Sequence, residues 1–119
     1  MMEHFKKLPW IDFDEKQLQD FMNQGFSFVY FMQDGNHIKI GKSNNPFRRL
    51  KGVQTGNPRK VELLRIVPTL SPKYEEAFWK KCFEEYRVRG EWFILSEPMW
   101  EFLVTGYLPN SIWKNYFIK

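Results

Sequence analysis

FVYFMQDGNHIKIGKSNNPFRRL, Phe28 to Leu50, reads as two short strands, a tight turn and the start of a helix. Val29, Phe31, Ile38 and Ile40 alternate with Tyr30, Met32 and Lys39, the period-2 pattern of half-buried strands. Asp34-Gly35 between the runs supplies the positive φ that a hairpin turn needs. Asn44-Asn45-Pro46 then opens a helix, with an asparagine to cap it and a proline in its first turn. Tyr30 and Lys39 are expected on neighbouring strands, and the break at Gly41 is expected to bring Arg48 or Arg49 close to them. A tyrosine, a lysine and an arginine on one small frame are a set able to address a phosphodiester.

Outward from this centre, Asp12 or Asp14 caps a helix running to about Asn23, with Leu18, Phe21 and Met22 as its apolar stripe and Gly25 as its stop. Residues 1–13 carry no clear period and are expected to form an arm. On the other side, the helix from Pro46 ends at Gly56-Asn57-Pro58, and VELLRIV, Val61 to Val67, is a third strand. Its apolar residues run without interruption, so a central position in the sheet is expected. Ser71-Pro72 starts a helix reaching about Tyr86, with a hydroxyl cap and an apolar stripe of Tyr74, Ala77, Phe78 and Cys82. Glu76, Trp79, Lys80 and Phe83 form a mixed face beside it. Gly90 to Leu95 closes the sheet, Pro98 starts a last helix to about Gly106, and an aromatic, basic tail follows. The order predicts an α+β fold: a small, mainly antiparallel sheet of three to four strands flanked by helices, preceded by an extra N-terminal helix. The expected divisions are an arm and helix over 1–26, the main body over 27–106 and the tail over 107–119.

The 119 residues suffice for one core. With 43% hydrophobic and 18% aromatic residues, the chain is too apolar to be disordered over most of its length. The 18 basic against 14 acidic side chains give a net charge of +4, compatible with a polyanionic partner. Cys82 stands alone and reads as a small core residue, consistent with a reducing cytoplasm. No apolar signal-peptide core and no membrane-length apolar run is apparent, so a soluble cytoplasmic protein is expected. The two histidines and one cysteine lack the spacing of a structural zinc site.

Taken together, Val29-Tyr30-Phe31, Lys39-Ile40-Gly41, Pro46-Phe47-Arg48-Arg49-Leu50, the QTGNP of Gln54 to Pro58 and the YRVRGEWF of Tyr86 to Phe93 resemble the GIY-YIG nuclease superfamily. The likeness is to its short phage and bacterial branch, which has KIG in place of YIG, and it covers roughly Ser27 to Ser96. It implies a metal-dependent endonuclease. Glu76, counted back from the YRVRGEWF ending, is the implied ligand of a single Mg²⁺ or Mn²⁺ that also keeps its waters. Tyr30 is the implied general base, Lys39 the cation that favours its phenolate, and Arg49 the clamp on the non-bridging phosphate oxygens. His37 and Ser43 flank the second motif, placed to orient water or phosphate; Lys42, Arg48 and Lys80 are further expected substrate contacts. Glu75 is the rival to Glu76, and Glu91 is expected to be a structural or rim residue. Lys80 stands where the branch usually has a histidine, and the asparagine of other members has no counterpart. The implied partner is DNA, single- or double-stranded, with a homodimer or a recruiting protein to supply what so small a module lacks. Two readings from other classes stand beside this one. One is a catalytically inactive nucleic-acid-binding or regulatory module on the same fold; the other is a phage or mobile-element protein whose aromatic tail docks on a host partner.

Overall fold

The structure is a computed structural model and describes residues 14–112. The expected arm with Pro9 and Trp10 and the end of the tail, 113–119, lie outside the described residues. Helix α1 (Glu15–Asn23) begins at Asp14, whose carboxylate accepts a hydrogen bond from the Gln17 amide at 2.8 Å. The Gln17 side chain accepts in return from the Asp14 amide at 2.9 Å, so two otherwise unpaired donors are satisfied reciprocally. Leu18 is buried with Phe21 and Met22 packed beside it, as the stripe required.

Strands β1 (Ser27–Asp34) and β2 (His37–Ser43) form the expected hairpin, with Asp34 opposite His37. Gly35 opens the two-residue loop at φ +62°, where any side chain would strain the backbone. Asn45 caps α2 (Pro46–Thr55), accepting from the Arg48 amide at 3.1 Å. There follow β3 (Glu62–Thr69), α3 (Pro72–Cys82), a 3-10 turn (Glu84–Tyr86), β4 (Arg87–Arg89), β5 (Trp92–Ile94) and α4 (Glu97–Thr105).

The sheet has five strands in the order β3-β1-β2-β5-β4, every neighbouring pair antiparallel. The expected three to four strands undercount it, because the single closing segment is a hairpin: Arg87–Arg89 pairs with Trp92–Ile94 across Gly90-Glu91. VELLRIV is not central but lies at the edge. Its continuous burial comes from layers on both faces: Leu63 and Ile66 pack on one side and Leu64 on the other. Pro68 within β3 was the available signal, since a residue without an amide hydrogen belongs on an edge strand. Arg65 is also buried there; its guanidinium donates to the carbonyls of Leu103 at 3.0 Å and Val104 at 3.3 Å, pinning the C-terminal turn of α4.

Helices α1 and α2 cover the face that carries Phe28, Tyr30 and Met32, while α3 and α4 cover Val29, Phe31, Ile38 and Ile40. On the second face Trp79 stacks at 4.5 Å on Phe102 and meets Phe31 edge-on at 5.7 Å, so these aromatics fill the core. The expected stripe on α3 is corrected. Tyr74 is 77% exposed and Ala77 is exposed, whereas Glu76, Trp79, Cys82 and Phe83 point inward. A buried glutamate and tryptophan hid the inward face from a reading based on apolarity. Ser71 likewise makes no side-chain cap; the Thr69 hydroxyl accepts from the Ser71 amide at 2.9 Å instead. Cys82 is a core residue, and burial pushes its thiol up to about 12. Among the described residues no helix is long and apolar enough to cross a membrane.

Candidate functional site

Strand β5 pairs with β2 only at His37, Ile38 and Lys39, and the last contact is the Ile40 amide donating to the Glu91 carbonyl at 2.9 Å. Gly41–Ser43 therefore continues as a β2 edge without a strand neighbour on that side among the described residues. In an antiparallel pair, opposed residues share a face. Tyr30 with Gly41 and Met32 with Lys39 thus lie under α1 and α2, while Val29 and Lys42 face α3 and α4.

Around this edge the charged side chains form an alternating chain. Lys42 Nζ lies 3.2 Å from Glu76 Oε1, and Lys80 Nζ lies 3.3 Å from Glu76 Oε2. Lys80 Nζ also donates to Glu91 Oε2 at 3.0 Å, and Glu91 Oε1 accepts from Lys39. Glu91 therefore ties a lysine of one sheet face to a lysine of the helix on the other. It was expected to be a structural or rim residue; the fold makes it the junction of the cluster. Its place in YRVRGEWF, just after the turn glycine, was the only hint. Burial by itself pushes the Glu91 carboxyl up, but the hydrogen bonds and charges of Lys39 and Lys80 outweigh that and hold it below its ordinary 4.5.

That lowered value has a consequence for stability. A carboxylate with a depressed folded-state pKa contributes stability above its unfolded value and loses it as pH falls through the folded one. Between about pH 5 and pH 3, the urea midpoint of the wild type is expected to fall further than that of Glu91→Gln. Equal losses in the two proteins would show that the Lys39–Glu91–Lys80 link contributes nothing to the fold.

Two oxygens near this edge, on opposite faces of the sheet, are buried without a hydrogen bond: Tyr30 Oη, and Glu76 Oε2, whose neighbour is the Lys80 ammonium at 3.3 Å. The close passage of Tyr30 over Gly41 explains how its ring fits. A Cβ at Gly41 would stand 2.5 Å from Tyr30 Cζ and would collide with the hydroxyl as well. Glu76 is about nine-tenths buried, whereas Glu75 turns to its own helix and accepts from Trp79 Nε1 at 2.9 Å.

The other expected site residues divide. Lys39, Lys42 and Lys80 join the cluster, but Lys39 is paired with Glu91 and stands 5.9 Å over the Trp92 ring. Its charge is thus already balanced by a carboxylate, not turned solely on Tyr30. Arg48 and Arg49 are exposed on α2, the helix that covers Tyr30, and form no ion pair among the described residues. Ser43 is turned away, its hydroxyl accepting from the Asn45 amide at 2.9 Å just ahead of α2. His37 lies at the far end of β2, four residues or about 13 Å from Gly41, beside a separate recess. Among the described residues, no three His, Cys, Asp or Glu side chains gather to hold a metal ion; a cation here would have Glu76 as its protein ligand and water for the rest.

The family model of the T5orf172 domain matches residues 27–105. No curated protein and no solved structure matches the chain.

Proposed function

The chain belongs to the T5orf172 domain family, and from that premise we propose that it is a divalent-metal-dependent endonuclease that hydrolyses phosphodiester bonds in DNA through a GIY-YIG-type site. The domain is found in phage and bacterial nuclease-like proteins. The observation that carries the reading is the buried Tyr30 Oη, which has no hydrogen-bond partner at the open edge of β2, with the buried Glu76 carboxylate reaching the same edge from the opposite sheet face. A buried hydroxyl or carboxylate oxygen without a partner costs about 1–3 kcal/mol. Such an arrangement is explained when the missing partner is a substrate, a water or an ion.

The residue that would hold a Mg²⁺ or Mn²⁺ ion is Glu76, whose Oε2 accepts no hydrogen bond and has only the Lys80 ammonium at 3.3 Å, since Mg²⁺ is commonly held by one or two carboxylates and keeps several waters. When bound, the ion supplies Lewis-acid stabilisation of the leaving oxygen. The chain's own groups do the rest. Tyr30, in its phenolate form, takes the proton of the attacking water and becomes the neutral phenol, and Gly41 leaves room for that oxygen. Lys42 and Lys80 hold the Glu76 carboxylate in place and add positive charge where the phosphate arrives. Arg49, exposed and without an ion pair among the described residues, reaches the non-bridging oxygens with its planar fork. Glu91 fixes Lys39 and Lys80.

A second reading, an inactive DNA-binding module on the same fold, is favoured by one observation: both oxygens of Glu76 already have an ammonium within 3.3 Å. One experiment separates the two. Labelled single- and double-stranded DNA is incubated with the protein in Mg²⁺, in Mn²⁺ or in chelator. The nuclease reading requires metal-dependent cutting that falls by about 10²–10⁴ in Tyr30→Phe. DNA bound but uncut with every metal would leave the binding module.

A further inference from the structure

On the same sheet face as Tyr30 and Lys39, the register places Lys39 opposite Trp92 and His37 opposite both Asp34 and Ile94. There the sheet opens into a recess of about 360 Å³ lined by Asp34, His37, Asn57, Val88, Arg89 and Trp92. The volume is at the small end of the ~300–1,000 Å³ of small-molecule sites. Trp92 is half-buried and Val88 53% exposed, so the recess offers solvent an aromatic and an aliphatic wall. Its polar parts differ in availability. Asn57 donates to Asp34 Oδ2 at 2.7 Å, and Arg59 Nε lies 2.9 Å from Asp34 Oδ1, so the acid is neutralised by the loop after α2. His37 has no side-chain hydrogen bond among the described residues, and Arg89 forms no ion pair there. Above the Trp92 ring stands Lys39, 5.9 Å from its centre. His37, Lys39 and Gly41 follow one another on this face at steps of about 7 Å, within the span of one nucleotide.

We infer that this recess is a stacking subsite for one unpaired nucleobase, next to the phosphate addressed by the Tyr30–Glu76 edge. The inference rests on the nucleic-acid reading above and names what that reading leaves open: which part of the substrate the module grips besides its backbone. A base is flat and apolar on its faces and polar at its rim, which matches a tryptophan face with a free histidine and arginine at the border. The backbone phosphate beside that base meets Arg89, which is exposed and forms no ion pair among the described residues, so the charges are complementary as well. A duplex would have to release the base to fill the recess; the subsite thus favours single strands, frayed ends or mismatches.

The test compares a short single-stranded oligonucleotide with the all-abasic chain of equal length and charge, by fluorescence anisotropy in chelator so that nothing is cut. Deoxyribose and ribose versions are run side by side to distinguish the two sources of the base. Base removal is expected to weaken binding by about tenfold in the wild type. The same removal is expected to change little in Trp92→Ala and to retain most of its effect in Trp92→Phe. Should Trp92→Ala fail to fold, Trp92→Leu and His37→Ala carry the comparison, each reducing the penalty for base removal. Equal binding of the two wild-type ligands overturns the subsite and leaves the nuclease reading standing. An equal penalty in Trp92→Ala overturns it too, placing the base elsewhere. Absence of binding to any oligonucleotide overturns both.

Discussion

Gly41→Ala is expected to lower stability by about 1–3 kcal/mol and to remove most cleavage activity. The methyl group would stand 2.5 Å from Tyr30 Cζ and 3.0 Å from Cε2, closer than real Cβ contacts come, and would meet the hydroxyl head-on. Neither partner can yield easily. Tyr30 is fully buried among Phe28, Met32, Leu63 and Ile66, and Gly41 is paired with Tyr30 in the β1–β2 ladder. The ring must tilt or the strands must part, and in either case the phenol oxygen leaves the open edge. A fall of about 10² or more in rate should accompany the lower urea midpoint, since a displaced acid–base group acts much as a deleted one. Gly52→Ala is the matched control: it lies in α2 with nothing within 4 Å of a new Cβ. It should stabilise the protein by about 0.5–1 kcal/mol, because alanine loses less backbone entropy in a helix. Cleavage by Gly41→Ala at the wild-type rate would show that the hydroxyl's position does not matter to the chemistry.

Glu76→Gln should cost about 10²–10⁴ in cleavage while leaving the fold close to intact. The amide is nearly isosteric and its oxygen still accepts from Lys42, so the contact at 3.2 Å survives. What disappears is the negative charge, and with it both the pull on Lys42 and Lys80 and the carboxylate oxygen available to a cation. The stability loss is limited because Lys42 is nearly half exposed and is rehydrated when its partner goes neutral. Glu75→Gln, one position away, should leave cutting unchanged, since that side chain serves Trp79. Metal affinity followed by calorimetry gives a second readout: Glu76→Gln should abolish it and Glu75→Gln should not. Wild-type cutting by Glu76→Gln would remove this carboxylate from the site altogether.

Much of this was legible in local pattern. The hairpin, the asparagine cap before Pro46 and the capped first helix follow from residues close in the chain. The errors share one physical cause. Burial of VELLRIV was read as a central strand, whereas helices on both faces bury an edge strand equally well. On α3 the apolar residues were assigned inward, yet Tyr74 faces solvent and Glu76 does not, because paired lysines make a buried carboxylate tolerable. Lys42, Lys80 and Glu91 are separated by up to 49 positions, and nothing in their immediate neighbours announces that one carboxylate touches two of the lysines.

By itself, then, the order of residues determined most of the elements and the hairpin turn at Gly35. Only the folded arrangement decided that β5 stops at Lys39 and leaves Gly41–Ser43 as an open edge. It alone decided that Glu91 joins lysines from both faces there, and that Trp92 and His37 border a common recess. Local propensities act over a turn or a few strand positions, whereas where a strand ends in a sheet is set by packing against residues far along the chain.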